Sequence, residues 1–262
     1  MGAPRVAVVG GGPAGLMAAE AARAAGAVVT LYDGLASVGR KFLLAGKGGL
    51  NLTHGEPLAR LLTRYGPEAA HLEATIRAFD NEAVRAWALG LGIETFVGTS
   101  GRVFPRDLKA APLLRRWLAR LRRDGVGFAL RHRWLGFDAD GALRFDTPSG
   151  EVRVASDAVV LALGGASWPA LGADGAWCAA LAAHGVAIAP LRAANCGFER
   201  AWSAHLVSRW AGTAVKNVAA RAHADAPWTR GEFLLTESGV EGSLVYALSR
   251  PLRGALESTG RA

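Results

Sequence analysis

A chain of 262 residues that is 51% hydrophobic and 20% charged can bury a substantial core, as one large domain or two smaller ones, and is not of disordered composition. Its formal charge of +8 invites a nucleic-acid reading, but Lys41, Lys47, Lys109 and Lys216 are the only lysines and no DNA- or RNA-binding module pattern is present. Cys178 and Cys196 alone cannot build a disulfide framework, and the scattered histidines lack the paired spacing of a metal site.

Residues 5–33, RVAVVGGGPAGLMAAEAARAAGAVVTLYD, read as an apolar strand, a glycine turn, an alanine-rich helix and a second apolar strand that closes on an acid. The opening β-branched run suits a buried parallel strand. At its carboxyl end Gly10, Gly12 and Gly15 supply a G-x-G-x-x-G pattern: the first permits a tight turn, the second leaves room for a pyrophosphate, and the third lets the helix lie close on the sheet. The helix's free N–H groups and positive dipole end then face the phosphates. Asp33 follows Gly15 by 18 residues, near the spacing of about 20 at which a carboxylate reaches ribose hydroxyls. An acid there repels a 2′-phosphate, so FAD or NAD is favoured over NADP. Glu20 and Arg23 interrupt the apolar N-terminus, which is expected to be neither a signal peptide nor a membrane anchor; a cytoplasmic setting is the default.

After Asp33 comes GLASVGRKFLLAGKGGLNLTHGEP, a long glycine-rich connection of the kind that tends to be functional inside a compact domain. Helical patterns are expected over 57–91, with Asn81 capping an amphipathic helix that carries Trp87, Ala88 and Leu91. Strands are expected at 94–97 and 102–104. Pro112 is expected to open a helix whose Leu113, Leu114, Trp117, Leu118 and Leu121 face the core, the arginines of 115–123 forming a solvated face. Short strands at 128–130, 134–137, 143–146 and 152–154 read as a small β-meander. Residues 157–163, DAVVLAL, form another apolar strand, which runs into Gly164 and Gly165 and then a helix at 175–183. Past Pro190 the texture changes to strand candidates at 214–224 and 232–235, followed by a last helix with Ser243 as its N-cap.

With GRKFLLAGKGGLNLTH, GRVFPRDLKAAPLLRRWL, ALGGASWPALGADGAW, ANCGF and GEFLLTESGVEGSLV in view, the chain from Arg5 to about Arg253 resembles the BaiN/RdsA-type flavoproteins, the aminoacetone-oxidase-like FAD-binding family. The resemblance implies an α/β fold: a Rossmann-like FAD-binding domain with a β-meander over 1–190, and an inserted β-rich domain over 191–262. It places Gly10, Gly12, Pro13, Ala14 and Gly15 at the pyrophosphate and Asp33 at the ribose. Gly39, Arg40 and Lys41 would stand beside the diphosphate and ribitol, where cations balance two phosphates. Gly164 and Gly165 would be a second backbone contact. Gly46, Gly48 and Asn51 keep part of the family's S-G-x-G-R-C-N pattern, but Ala45 replaces its serine and Gly49 and Leu50 its arginine and cysteine, so no catalytic residue is named. Arg102, Phe104, Trp168 and Asn195 are candidates to line a substrate mouth, each with a competing reading as a packing or turn residue.

The implied activity is flavin-dependent oxidoreduction of a small organic substrate, an amine or an enone, by hydride transfer to or from flavin N5, with NAD(P)H or O2 as redox partner and no nucleic acid or membrane. The family's later glycine-rich segment, which returns to cover the flavin ring, is not found. The expectation is therefore a fragment or a truncated product with weak cofactor retention. A nucleotide-binding module without turnover and an NAD-dependent dehydrogenase stay open as alternatives.

Overall fold

The structure, a computed structural model, describes residues 2–45 and 49–260. They fall into two compact units, Met1–Ala189 and Pro190–Ala262. The first opens with β1 (Arg5–Val9), α1 (Pro13–Ala24) and β2 (Val28–Asp33). An excursion follows: α2 (Arg40–Ala45), β3 (Thr53–His54), α3 (Leu58–Thr63), α4 (Ala69–Ala78), α5 (Asn81–Gly90), β4 (Thr95–Val97), β5 (Arg102–Pro105) and α6 (Ala110–Arg123). The unit closes with β6 (Gly127–Leu130), β7 (Arg133–Phe137), β8 (Leu143–Thr147), β9 (Gly150–Val154), β10 (Ala158–Leu161) and α7 (Trp177–Ala182).

Among the described residues, β10, β1, β2 and β6 make a parallel sheet in that order. Alternate residues of β1 serve opposite faces, as the strand period requires. Val8 packs with Leu16 and Ala19 of α1 and with Leu113, Trp117 and Leu121 of α6, while Ala7 and Val9 pack with Leu143 and Phe145 of β8. Both faces are covered, which is why the strand can be apolar throughout. Tyr32 stacks on Phe145 with ring centroids 4.6 Å apart.

Several local expectations are corrected. The strand at 128–130 is not part of the meander, which is β7–β8–β9; it is β6, parallel to β2, because α6 makes the crossover that returns the chain to the sheet. Asp80, not Asn81, caps α5, its carboxylate accepting Ala83 N–H. Asn81 is buried instead and its Nδ2 donates to the carbonyls of His54 and Glu56 at 2.9 and 3.0 Å. Helix α6 begins at Ala110, so Pro112 is its third residue, still in the first turn where a missing N–H loses no helical bond.

The arginine face of α6 is only partly solvated. Arg115, Arg116, Arg122 and Arg123 are exposed, although Arg116 Nη1 donates to Leu91 O at 3.1 Å, and Arg120 turns inward, its side chain 19% exposed. Arg120 Nη2 lies 2.7 Å from Glu20 Oε1. Glu20 Oε2 also accepts the indole N–H groups of Trp117 and Trp87, at 2.6 and 3.3 Å. The acid inside α1 is thus the polar centre of a seam where α1, α5 and α6 meet.

A buried carboxylate sits in the excursion. Glu56, 5% exposed at its side chain, accepts a two-pronged bond from Arg64, with Nη2 to Oε2 at 2.9 Å, and lies 3.4 Å from Arg60 Nε. The Arg64 guanidinium holds this carboxyl below the usual carboxylate range, against the opposing effect of burial. A depressed folded value contributes stability that is fully present above the unfolded carboxylate range and lost as pH falls through the folded value. The urea midpoint of the parent should therefore drop below about pH 4.5 more steeply than that of Glu56→Gln, whose acid limb should flatten; equal acid limbs would refute this.

The second unit, taken by itself, contains β11 (Phe198–Glu199), α8 (Ala204–Trp210), β12 (Ala214–Ala220), β13 (Thr229–Thr236), β14 (Gly239–Glu241) and α9 (Ser243–Thr259). Its antiparallel sheet has the order β11, β14, β13, β12. Gly242, at φ +107°, caps α9 in place of the expected Ser243, because the chain must turn out of β14 through a backbone that favours glycine. The Ser249 hydroxyl, fully buried in α9, accepts Cys196 N–H at 3.3 Å and lies 3.1 Å from Cys196 O. The sequence reading misses β11, α8 and β14, which are too short to show a period. Among the described residues no helix is long and apolar enough to cross a membrane.

Candidate functional site

The carboxyl ends of the parallel strands open onto a cleft of about 410 Å³. Its first wall is the turn after β1. Gly10 has φ +110°, its N–H donates to Tyr32 O at 2.8 Å, and a Cβ built on it would stand 2.2 Å from Ala162 O. Gly15 lies directly against that turn: a Cβ there would be 1.8 Å from Gly10 O. Gly12 differs, since a Cβ on it meets nothing within 4 Å. Gly10 and Gly15 are thus demanded by the fold, while Gly12 borders open cleft. Pro13 starts α1, where its missing N–H breaks no helical bond, and the following N–H groups of the first turn point to the cleft end of the helix.

Gly11, which the motif leaves unspecified, is also held on both sides. Its N–H donates to Asp33 Oδ2 at 2.7 Å, its carbonyl accepts Gly39 N–H at 2.9 Å, and a Cβ would clash with Val38 at 2.3 Å. Asp33 Oδ1 accepts Leu35 N–H at 2.8 Å. The acid therefore braces the glycine turn and its own loop, and it lines the cleft with acceptor capacity left over.

Gly39, Arg40 and Lys41 form the next wall. Gly39 takes φ +72° hard against Leu114, Arg40 Nε donates to Ser37 Oγ at 3.0 Å, and Lys41 Nζ donates to Ser167 Oγ across the cleft. Ser167 belongs to the loop after β10, which brings Gly164 and Gly165 to the same cleft; Cβ atoms on these two glycines would meet nothing within 4 Å. Both glycine turns, the acid and the GRK residues are thereby gathered in one place. Leu35, Ser37 and Gly172 join them, and the sequence reading missed these because no local pattern marks them.

Other candidates stand elsewhere. Gly46 and Gly48 lie outside the described residues. Asn51 is exposed and does not line the cleft. Arg102 and Phe104 lie on β5 in the excursion sheet, where Phe104 packs 5.9 Å from Phe96, and neither borders the cleft. Trp168, 46% exposed, follows Ser167 and its N–H donates to Ala173 O. Asn195 belongs to the second unit.

The profile of the HI0933-like protein Rossmann domain matches residues 4–248. The chain is 29% identical to the 3-dehydro-bile acid Δ(4,6)-reductase of Clostridium scindens over 264 aligned residues, covering 96% of this chain and 61% of that protein. It thus spans about three fifths of that relative's length. Among solved structures, the 3-ketosteroid-Δ4-(5α)-dehydrogenase of Rhodococcus jostii RHA1 is similar with a TM-score of 0.44 and 18% identity, over 63% of this chain and 47% of that one. The Thermovibrio ammonificans THI4 gives 0.41 and 16%, over 62% and 57%. The matched profile, spanning nearly the whole chain and both glycine turns, decides the assignment: the protein belongs to the HI0933-like family of Rossmann-domain proteins.

Proposed function

We propose that the cleft holds FAD extended from the turn at Gly10–Gly15 to the turn at Gly164–Gly165, and that the protein is a flavin-dependent oxidoreductase acting on a small organic substrate. The observation that carries this reading is the convergence of both turns on one cleft, with the Cβ positions of Gly12, Gly164 and Gly165 all facing open space. Backbone N–H groups at the start of α1 suit a pyrophosphate, and Lys41 and Arg40 at the rim suit its charge. Asp33 offers its remaining lone pairs to ribose hydroxyls. When bound, the flavin supplies the hydride chemistry, so the chain's own task is to bind, orient and shield.

The relative named as a Δ(4,6)-reductase acts on a 3-dehydro-bile acid, and this favours reduction of an unsaturated ketone over oxidation of an amine. The test pairs binding with turnover. FAD should bind the purified chain with a clear shift of the flavin band and should displace NAD in a thermal-shift competition. The FAD-loaded protein should consume a conjugated enone with a reduced nicotinamide coenzyme faster than it forms peroxide from a primary amine. NAD preferred over FAD would overturn the cofactor reading, and peroxide formation alone would reverse the direction.

Lys41→Ala should weaken FAD binding about tenfold, as loss of one charge-assisted bond to phosphate, with the difference shrinking at high salt. An unchanged dissociation constant in a fluorescence titration would remove Lys41 from the site.

A further inference from the structure

After β10 the chain runs through Gly164 and Gly165 into a strap. Residues 166–170 are all exposed, whereas Leu171, Gly172 and Ala173 turn back to line the cleft, Ala173 being buried and a Cβ on Gly172 standing 3.4 Å from Leu35. Glycines at φ +75° and +81°, Gly164 and Gly172, mark its two ends, where the backbone can turn at little cost. The strap's backbone bonds close on the strap itself. Trp168 and Ala173 exchange two N–H···O bonds of 3.1 Å, Leu171 N–H donates to Trp168 O at 3.0 Å, and Gly172 N–H donates to Pro169 O at 2.9 Å. Among the described residues, the hydrogen bonds that tie residues 166–174 to the chain beyond Ala176 or before Gly164 come from two side-chain pairs. Arg133 Nη2 donates to Asp174 Oδ2 at 3.3 Å at the strap's foot, and Lys41 Nζ donates to Ser167 Oγ at its exposed tip.

Lys41 stands on α2, on the wall of the cleft opposite the strap, so its bond to Ser167 spans the opening between them. An extended cofactor cannot settle between the two glycine turns while that bond is closed. The bond is also an easy one to exchange. It lies at the surface and its acceptor is a neutral hydroxyl, whereas a phosphate oxygen is charged and holds an ammonium more strongly. We propose that residues 165–173 are a lid over the cleft, latched by Lys41 on Ser167, and that the cofactor's diphosphate releases the latch by taking the Lys41 ammonium in exchange. This rests on the FAD reading of the cleft.

Two measurements on the 262-residue chain test this, one without ligand and one with FAD. Hydrogen exchange of the free protein, read by mass spectrometry, reports the latch, because short turn bonds do not hold a strap whose tip is loose and its amides then exchange. Stopped-flow association of FAD, followed by flavin fluorescence, reports admission to the cleft. In Ser167→Ala the amides of Trp168, Leu171 and Gly172 should exchange about fivefold faster, the worth of one such bond. FAD should associate faster by about the same factor, since more of the free protein is open, with its dissociation rate unchanged because the bond is already broken in the complex. Ser167→Thr keeps the hydroxyl and should restore parent behaviour in both measurements. Lys41→Ala should speed strap exchange as Ser167→Ala does, and the double variant should go no further, as two ends of one bond require. Parent-like strap exchange in Ser167→Ala, with FAD still bound, would overturn the latch and leave the FAD reading standing. Faster exchange with an unchanged association rate would overturn the lid in the same way. Folded parent and Ser167→Ala chains that both fail to bind FAD would remove the FAD reading and the lid with it.

Discussion

Gly15→Ala should destabilise the first unit by about 3 kcal/mol, whereas Gly12→Ala, three residues away, should melt like the parent and lose FAD affinity. The new methyl at Gly15 would stand 1.8 Å from Gly10 O, a backbone atom in a turn already fixed by its bonds to β2 and by Ala162 beside it. Alanine's better helix propensity returns about 1 kcal/mol. Relieving the clash requires α1 to lift off β1, and overpacking of this kind costs roughly 1–3 kcal/mol or more; a contact this short against rigid backbone belongs at the upper end. For a unit of this size each kcal/mol lowers the melting temperature by about 2–4 °C, so a fall of roughly 10 °C by circular dichroism is expected. At Gly12 the methyl meets no protein atom and the residue is extended, at φ −78° and ψ −179°. It takes cleft volume only, and FAD should bind about tenfold more weakly for the loss of one close backbone contact. Parent-like melting of Gly15→Ala would mean that α1 does not rest on Gly10; parent-like FAD affinity of Gly12→Ala would mean that the pyrophosphate does not pass there.

Glu20→Ala is expected to cost a similar amount far from the cleft, about 3 kcal/mol. It strands the indole N–H groups of Trp87 and Trp117 and leaves the inward guanidinium of Arg120 without its counter-charge, and removing one partner of such a pair typically costs about 3–5 kcal/mol when fully buried. The side chains of Glu20 and Arg120 are 22% and 19% exposed, which places the effect at the lower end. Glu20→Gln should fall between, since an amide keeps an acceptor but no charge. The two rings meet edge to face with centroids 4.7 Å apart, so near-UV circular dichroism should report the loss directly. An Ala variant with parent melting and parent near-UV signal would show that the seam is held by apolar packing alone.

Much of the first unit was legible because its requirements are local. A period-2 apolar run, a glycine where φ must be positive and an acid at the end of β2 each concern neighbours within one strand–helix–strand unit, and residues 5–33 carry all of them. The second glycine turn was legible for the same reason. Misjudged features depended on distant partners. Nothing near residues 127–130 distinguishes a parallel strand from the first strand of a meander, and Asn81 reads as a cap until the His54 and Glu56 carbonyls are seen against it. The arginines of α6 share a type but not a fate, because Arg120 turns inward onto the Glu20 carboxylate while Arg123 pairs with Asp124 at the surface.

The sequence by itself determined that a glycine-turned parallel sheet would form and which residues would turn its chain, because these follow from spacing along one stretch of backbone; its resemblance to a flavoprotein family rests on motif blocks spread along the whole chain. Tertiary structure alone decided that Lys41 reaches Ser167, 126 residues away, that Gly11 is braced by Asp33, and that Glu20 gathers Trp87, Trp117 and Arg120 into one seam. Such meetings depend on how strands far apart in the chain are ordered in the sheet, and hydrophobic patterning, which says only that a residue is inside, carries no record of which neighbour it will find there.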